Sequence, residues 1–453
     1  MTPRPHIIYI HSHDTGRYVS PYGHAVRTPN LRRFADEGVL FRQAFCANPT
    51  CSPSRASLLS GTWAHCNGMF GLVHRGWRMH DYRQHLARML KEQGYRTALC
   101  GVQHEARGVD VTTDLGYDRV PKVELAAASR ADAAIELIRA EKSGGGAGQS
   151  PLFVSIGFHE THREFPEHEP EDDPRYLAPP APLPDTPITR KDMADYATMA
   201  HRMDTAIGRI LHAIDQSPIK DHTLVLITTD HGIAFPRMKC NLTDHGIGVM
   251  MMMRGPAGSG FHGGKVIDSM VSQVDVVPTL FELLGLPVPG HVRGRSFLPV
   301  VRGDADPADA NAVREEVFAE VNYHAAYEPM RAVRTERYKL IRRYGGYDRA
   351  VLPNCDDSPS KDVLLDAGWR ERVLAREQLY DLRHDPHEAA NVADRAEYRD
   401  VLADLRARLD RWMHDTDDPL LQGDIPLAPG GSTNAPDQLS PREPVTRAPV
   451  ADS

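Results

Sequence analysis

Short apolar runs alternate with helical patterns along most of the chain. Ile7–Ile10 reads as a first buried strand, and Arg96–Val102, Leu152–Phe158 and Leu224–Thr229 read as further strands. Between them, Asn30–Glu37 and Gln84–Gln93 read as amphipathic helices. Each is closed by a glycine, Gly38 or Gly94, in the usual C-terminal position. Tyr196–Ile214 carries a long helical pattern. This alternation predicts a mostly parallel sheet covered by helices on both faces. In such sheets the chemistry gathers beyond the carboxyl ends of the strands. Reactive side chains fall there: His13-Asp14 after the first strand, His104 after Val102, His159 and His162 after Phe158, and Asp230-His231 after Thr229.

Further along, the composition shifts to Ala, Asp and Pro around Asp304–Asn311, which marks a domain boundary. Val317–Val321 and Met330–Tyr344 then read as strands. Arg399–Met413 reads as a helix with Val401, Leu405, Leu409 and Trp412 on one stripe. The expected organisation is an α/β domain over 1–310 and a smaller α+β domain over 311–425. A Pro-, Ser- and Gly-rich tail over 426–453 is expected to be disordered or wrapped on the surface. Ser143–Ser150 reads as a Gly-rich loop. Glu164–Pro187, rich in proline and acid, reads as a surface excursion at the rim of the pocket.

Composition narrows the function classes. The chain has 453 residues, with 61 acidic against 53 basic and a formal net charge of −8. That balance gives no electrostatic footprint for nucleic acid. No run approaches the roughly 18 apolar residues of a membrane span. The run Ile7–Ile10 is too short for a signal-peptide core, so the expected compartment is the cytoplasm. Six cysteines, at 46, 51, 66, 100, 240 and 355, are scattered without a C-x-x-C pair, unlike a disulfide framework.

The most specific string is Cys51-Ser52-Pro53-Ser54-Arg55-Ala56-Ser57-Leu58-Leu59-Ser60-Gly61. It sets a cysteine at a helix start, where unpaired N–H groups and the helix dipole favour an anion. Arg55 follows one turn later and can face the same pocket, and Arg suits oxyanions because its planar fork donates parallel hydrogen bonds.

This string resembles the C-x-P-S-R-x-x-x-L-x-G signature of the sulfatase family. Similarity to that family, and to its sulfamidase-like members in particular, extends over about residues 5 to 415. Phe158-His159-Glu160-Thr161-His162-Arg163 is similar to F-H-D-P-H-R. His65-Cys66-Asn67-Gly68-Met69-Phe70-Gly71-Leu72 is similar to H-x-N-G-M-Y-G-L, and His201-Arg202-Met203-Asp204 to G-R-M-D. The resemblance implies an alkaline-phosphatase-like α/β fold with a mostly parallel central sheet. It implies a Cys51 oxidised to Cα-formylglycine, whose hydrated aldehyde is the nucleophile. It also implies one divalent metal, calcium by family default, held by Asp14, Asp230, His231, the oxygen of modified Cys51, and His13 if that residue ligates. His13 stands where the family usually has an aspartate, and imidazole ligands shift the preference toward manganese or zinc. A hydrogen-bonding role for His13 is the alternative.

By the same resemblance, Arg55 and Lys239 contact the sulfate. His104 would hydrogen-bond the aldehyde hydrate, and His162 would be the general acid, with His159 as the other candidate. Val102 occupies the lysine position of the family's G-K-x-H, so one expected cationic contact is absent or supplied from elsewhere. The implied reaction is hydrolysis of a sulfate ester or sulfamate, with a sulfated sugar as substrate and a formylglycine-generating enzyme as maturation partner. Two other readings stay open. One is a phosphonate or phosphate ester hydrolase using the same nucleophile, and the other is a non-catalytic binding protein that kept the fold.

Overall fold

The computed structural model describes residues 4–107, 111–141 and 150–449. Its centre is a seven-stranded sheet in the order Arg96–Gly101, Leu152–Gly157, His6–Ser12, Thr223–Thr229, Met251–Arg254, Val39–Phe41, Lys265–Ile267. The first four strands in this order are mutually parallel. Met251–Arg254 runs antiparallel to both neighbours, and the last two are parallel to each other.

Alternation along the strands sorts their side chains onto two faces. Ile7 and Tyr9 join Leu99, Phe153 and Leu226 in one core, under the helices Cys51–Ser60, Leu86–Glu92 and Val276–Leu283. Ile8 and Ile10 join Ala98, Val154 and Ile227 in another, under the helices Pro29–Glu37, Ala127–Arg139 and Pro187–Asp215. Each fully buried aliphatic side chain contributes about 1.5–3 kcal/mol. Burial on both faces accounts for the near-continuous apolar runs in the sequence.

Several boundaries differ from the sequence reading. The long helix begins at Pro187, not Tyr196. Thr186 caps it by accepting a hydrogen bond from the Thr189 N–H, and Pro187 takes the first helical position. The proline that looked like loop is a helix start. Gln84–Gln93 resolves into a 3₁₀ turn, Tyr82–Gln84, and a helix, Leu86–Glu92, capped by the His85 ring. Apart from Ser150, the expected loop Ser143–Ser150 lies outside the described residues.

The C-terminal sheet is antiparallel: Glu316–Tyr323, Tyr327–Thr335, Tyr338–Arg343, Glu377–Asp381. The expected strand stretch 330–344 is thus two strands joined by a turn. Helix Arg399–Asp415 covers this sheet with Leu402, Leu405, Leu409, Trp412 and Met413, while Val401 is only partly buried. The small sheet shares one apolar core with the large one. Main-chain bonds reinforce the join, from Glu320 N–H to the Ala47 carbonyl and from Tyr323 N–H to that of Phe70. Residues 426–449 lie along the surface, where Ser432-Thr433 pairs with Thr446-Arg447 and Asn434 bridges to Ala326. Among the described residues no helix is long and apolar enough to cross a membrane. All six cysteines are free thiols.

Candidate active site

The carboxyl ends of the four parallel strands converge on the start of helix Cys51–Ser60. This helix is buried over its whole length, and Cys51 is its first residue, 1% exposed. Thr50 holds the extended backbone that precedes it, and its hydroxyl donates to Asn48 at 2.6 Å. Close backbone approach brings the strand ends together: a Cβ at Gly157 would stand 1.9 Å from the Val102 carbonyl oxygen. Asp14 and His104 both adopt left-handed backbone, with φ of 51° and 71°. Such conformations cost on the order of 1–3 kcal/mol each and persist only where the surroundings enforce them.

Asp230 is held rigidly. Its Oδ1 accepts from the Asp14 N–H at 2.8 Å and the His231 N–H at 2.9 Å, and its Oδ2 accepts from Arg55 at 2.9 Å. The same guanidinium donates to the Ser12 carbonyl at 2.8 Å and to His11 Nδ1 at 2.5 Å. Both terminal nitrogens of Arg55 are thereby committed to protein groups, so its visible work is to fix Asp230. Lys239 donates to Asp14 Oδ2 at 2.8 Å and lies 3.0 Å from Asp356 Oδ2. His231 Nδ1 donates to the Gly232 carbonyl, which turns Nε2 to Cys51 Sγ at 3.4 Å and Asp14 Oδ1 at 3.3 Å.

One donor atom each from His13, Asp14, Cys51 and Asp230 lies within 4.8 Å of the others, and the four are buried. His231 borders this group without belonging to it. Asp14 Oδ1 and His13 Nδ1 are buried without a hydrogen-bond partner among the described residues. His13 Nδ1 lies 3.1 Å from Asp230 Oδ2, as a charge contact rather than an aligned bond. Burial opposes ionisation of the Asp14 carboxyl, yet the Lys239 charge holds it well below the usual range. Burial and Arg55 press the His13 ring toward neutrality, and Asp230 with Asp14 outweighs them, raising it to about 10. Burial likewise works against His231 before Asp230 and Asp14 raise it to about 9. The carboxylates of Asp14 and Asp230 thus favour positive charge on the two rings, and a metal cation would compete with the ring protons for the same donors. An orphaned carboxylate oxygen inside a mixed O, N and S donor set fits a divalent metal.

Around this centre the other expected residues take their places. His104 and His13 lie within 4.8 Å of Cys51 by their donor atoms. The His162 ring packs edge-on against His13 at 5.4 Å, and its Nδ1 donates to the Arg163 carbonyl at 2.5 Å. Arg163 is anchored in turn by two 2.7 Å bonds to Asp192. His159 stacks on His162, and burial with the neighbouring His162 lowers it to about 4. Burial would keep the Cys51 thiol protonated, but Lys239 and His231 bring it well below its ordinary range.

Three participants escaped the sequence reading. Asp356 shares Lys239 with Asp14. His324 is a buried ring that burial and Lys239 lower to about 3. His74 stacks on His104, nearly parallel, with centroids 5.6 Å apart. None lies in a motif, and two come from the C-terminal part of the chain. The one signal was the abundance of histidine, which does not say which rings meet.

The sulfatase family model matches residues 5–286, and the model described as N-sulphoglucosamine sulphohydrolase, C-terminal, matches residues 237–364. Human N-sulphoglucosamine sulphohydrolase is 29% identical over 444 residues, covering 87% of this chain and 87% of that protein. A structure solved with its substrate D-glucosamine-2-N,6-O-disulfate superposes with a TM-score of 0.69 at 18% identity, covering 92% of this chain and 98% of the other. A phosphonate monoester hydrolase of Agrobacterium radiobacter superposes with a TM-score of 0.68 at 21% identity, covering 91% and 96%. At those identities the two structures speak for the fold alone, which is alkaline-phosphatase-like. With the family model spanning well over half of its length, the chain belongs to the sulfatase family and is a sulfuric ester hydrolase.

Proposed function

We propose that the protein removes sulfate from a sulfated sugar, as ester or sulfamate, with Cys51 matured to formylglycine beside one divalent metal. The closure of His13, Asp14, Cys51 and Asp230 within 4.8 Å carries this reading. The similarity to N-sulphoglucosamine sulphohydrolase supports the sugar.

His13, Asp14, Asp230 and residue 51 would hold the metal, with His231 at its edge. When bound, the ion supplies charge neutralisation for the sulfate and activates an oxygen nucleophile. The aldehyde hydrate supplies a nucleophilic hydroxyl and a second hydroxyl that releases sulfate. The chain's own groups do the rest. Lys239 offers a buried cation, raised well above its usual range by Asp14 and Asp356 despite its burial, to the developing charge on sulfate. Arg55 acts through Asp230 by fixing its carboxylate. His104 accepts a proton from the hydrate, because burial lowers its ring and keeps it neutral at pH 7. His162 protonates the leaving group. His159, at about 4, is neutral at pH 7 and has no proton to give. Residues 1–310 carry this chemistry, and 311–425 contribute Asp356 and His324. The five cysteines other than Cys51 are unpaired thiols, which supports a reducing compartment, the cytoplasm.

A phosphonate or phosphate ester hydrolase is the second reading, favoured by the imidazoles of His13 and His231 at the cation site. Protein co-expressed with a formylglycine-generating enzyme is assayed on sulfated mono- and disaccharides and on an aryl phosphonate monoester. Sulfate release that vanishes in Cys51→Ala supports the proposal. Faster turnover of the phosphonate refutes it.

A further inference from the structure

Beside the His74–His104 pair lies a second cavity of about 360 Å³, within the roughly 300–1,000 Å³ range of small-molecule sites. Four arginines line it, Arg75, Arg78, Arg107 and Arg447, with His74 and Trp77, and among the described residues no acidic one does. This is unusual in a chain of net charge −8. Among the described residues none of the four has a carboxylate partner. Arg75 donates to the Ala325 carbonyl at 3.1 Å, Arg107 donates to that of His74 at 2.9 Å, and Arg78 faces the Tyr82 ring. Surface arginines of this protein are otherwise widely paired, as Arg83 with Asp81 and Arg175 with Asp173.

The walls are preformed. Residues 430–431 press so closely on the 73–76 turn that a Cβ at Gly76, itself at φ 102°, would stand 2.7 Å from Gly431 Cα. The Ala325 carbonyl that takes Arg75 also accepts the Asn434 N–H at 2.8 Å. The C-terminal ladder is thus bonded to the main body and presents Arg447 from its far strand. His74 connects this cavity to the nucleophile. Its Nδ1 lies 3.3 Å from His104 Nε2, and His104 lies within 4.8 Å of Cys51.

We propose that this cavity is an anion subsite that binds a second sulfate or carboxylate of the same sugar substrate, next to the group being cleaved. The inference rests on the proposed sugar sulfatase function and adds that the substrate is polyanionic. Guanidinium groups that lack a carboxylate partner among the described residues suit it, because their planar forks match sulfate and carboxylate oxygens and are weakly hydrated. Trp77 and Tyr82 add aromatic surface to the same lining. Val102, in place of the family's lysine, leaves the region near His104 without its expected cation, and the arginine cluster lies on that side.

The test separates binding from turnover. Full-length Cys51→Ala protein is titrated calorimetrically with a disulfated disaccharide, its monosulfated counterpart and inorganic sulfate. The disulfated sugar is expected to bind at least tenfold tighter than the monosulfated one, and Arg78→Ala/Arg447→Ala is expected to abolish that ratio. Arg78→Lys/Arg447→Lys should keep part of it, which excludes a folding defect. In matured active protein the alanine pair should lower the disulfated-over-monosulfated ratio of kcat/KM about tenfold, chiefly through KM. An unchanged ratio overturns the subsite. Inorganic sulfate binding as tightly as the disaccharide, with the same loss in the variant, also overturns it, because the site would then hold free sulfate. Selective binding without sulfate release by matured protein would uphold the subsite and refute the sulfatase reading alone.

Discussion

Lys239, itself buried, holds two carboxylates, the buried Asp14 and the partly exposed Asp356. Removing one partner of a buried charge cluster strands the others, at a cost of about 3–5 kcal/mol. Lys239→Met should therefore lower the thermal midpoint sharply and cut sulfate release at least a hundredfold. Asp356→Asn should lower kcat far less, because Asp14 still pairs with the ammonium. Equal losses in the two variants, measured by steady-state kinetics and calorimetry, would contradict this assignment. His13-Asp14, Cys51, His104, His162 and Asp230-His231 were legible as candidates because strand ends and a specific string marked them. Asp356 and His324 were not. A side chain that reaches the site across a sheet-to-sheet junction leaves no periodic or spacing signal in its own segment.

At the scale of elements, the helix Cys51–Ser60 is tied to the C-terminal sheet just beyond its end, where His65 Nδ1 meets Glu320 Oε1 at 3.0 Å in a fully buried pair. Burial alone would lower the His65 ring and raise the Glu320 carboxyl. Their mutual attraction instead holds His65 at about 10 and, with Arg331 added on the carboxylate side, Glu320 at about 2. Above pH 6.5 the unfolded chain loses its imidazole proton while the folded chain keeps it, so this contribution fades as pH rises toward 10. Below pH 4.5 the unfolded carboxyl takes up a proton first, and the contribution fades toward pH 2. Glu320→Gln should lower the midpoint most between pH 4.5 and 6.5, with a smaller difference from wild type at pH 9. A difference that grows from pH 6.5 to 9 in thermal melts would contradict the pairing.

Helix caps act on a smaller scale. Thr186→Ala should cost about 1 kcal/mol, read from urea unfolding, and a neutral result would mean that the cap does not hold the start of Pro187–Asp215. Strand and helix identities followed from periodicity. The missed start at Pro187 shows how proline at a first helical position imitates a loop when read from composition.

Over the whole molecule, one continuous apolar core runs from the parallel sheet into the antiparallel one. The sequence showed both layers but not their union, because contacts such as Trp63 edge-on against Phe318 and Trp412 depend on how the layers dock. The tail is part of that union. Lys361 donates to the Leu439 carbonyl at 2.7 Å and Ser440 donates to Asp357 at 2.5 Å. Deleting residues 429–453 should lower the thermal midpoint by several degrees and weaken selection among sulfated sugars, as read by melting curves and kcat/KM. No change in either would mean that the tail is only a surface passenger.

Whether residue 51 is an aldehyde is read from the mass of the peptide that contains it. Protein co-expressed with a formylglycine-generating enzyme should yield, after dehydration, a peptide about 18 daltons lighter than the thiol form, in proportion to its sulfate-releasing activity. Fully active protein whose peptide keeps the mass of an unmodified cysteine would rule out formylglycine as the nucleophile.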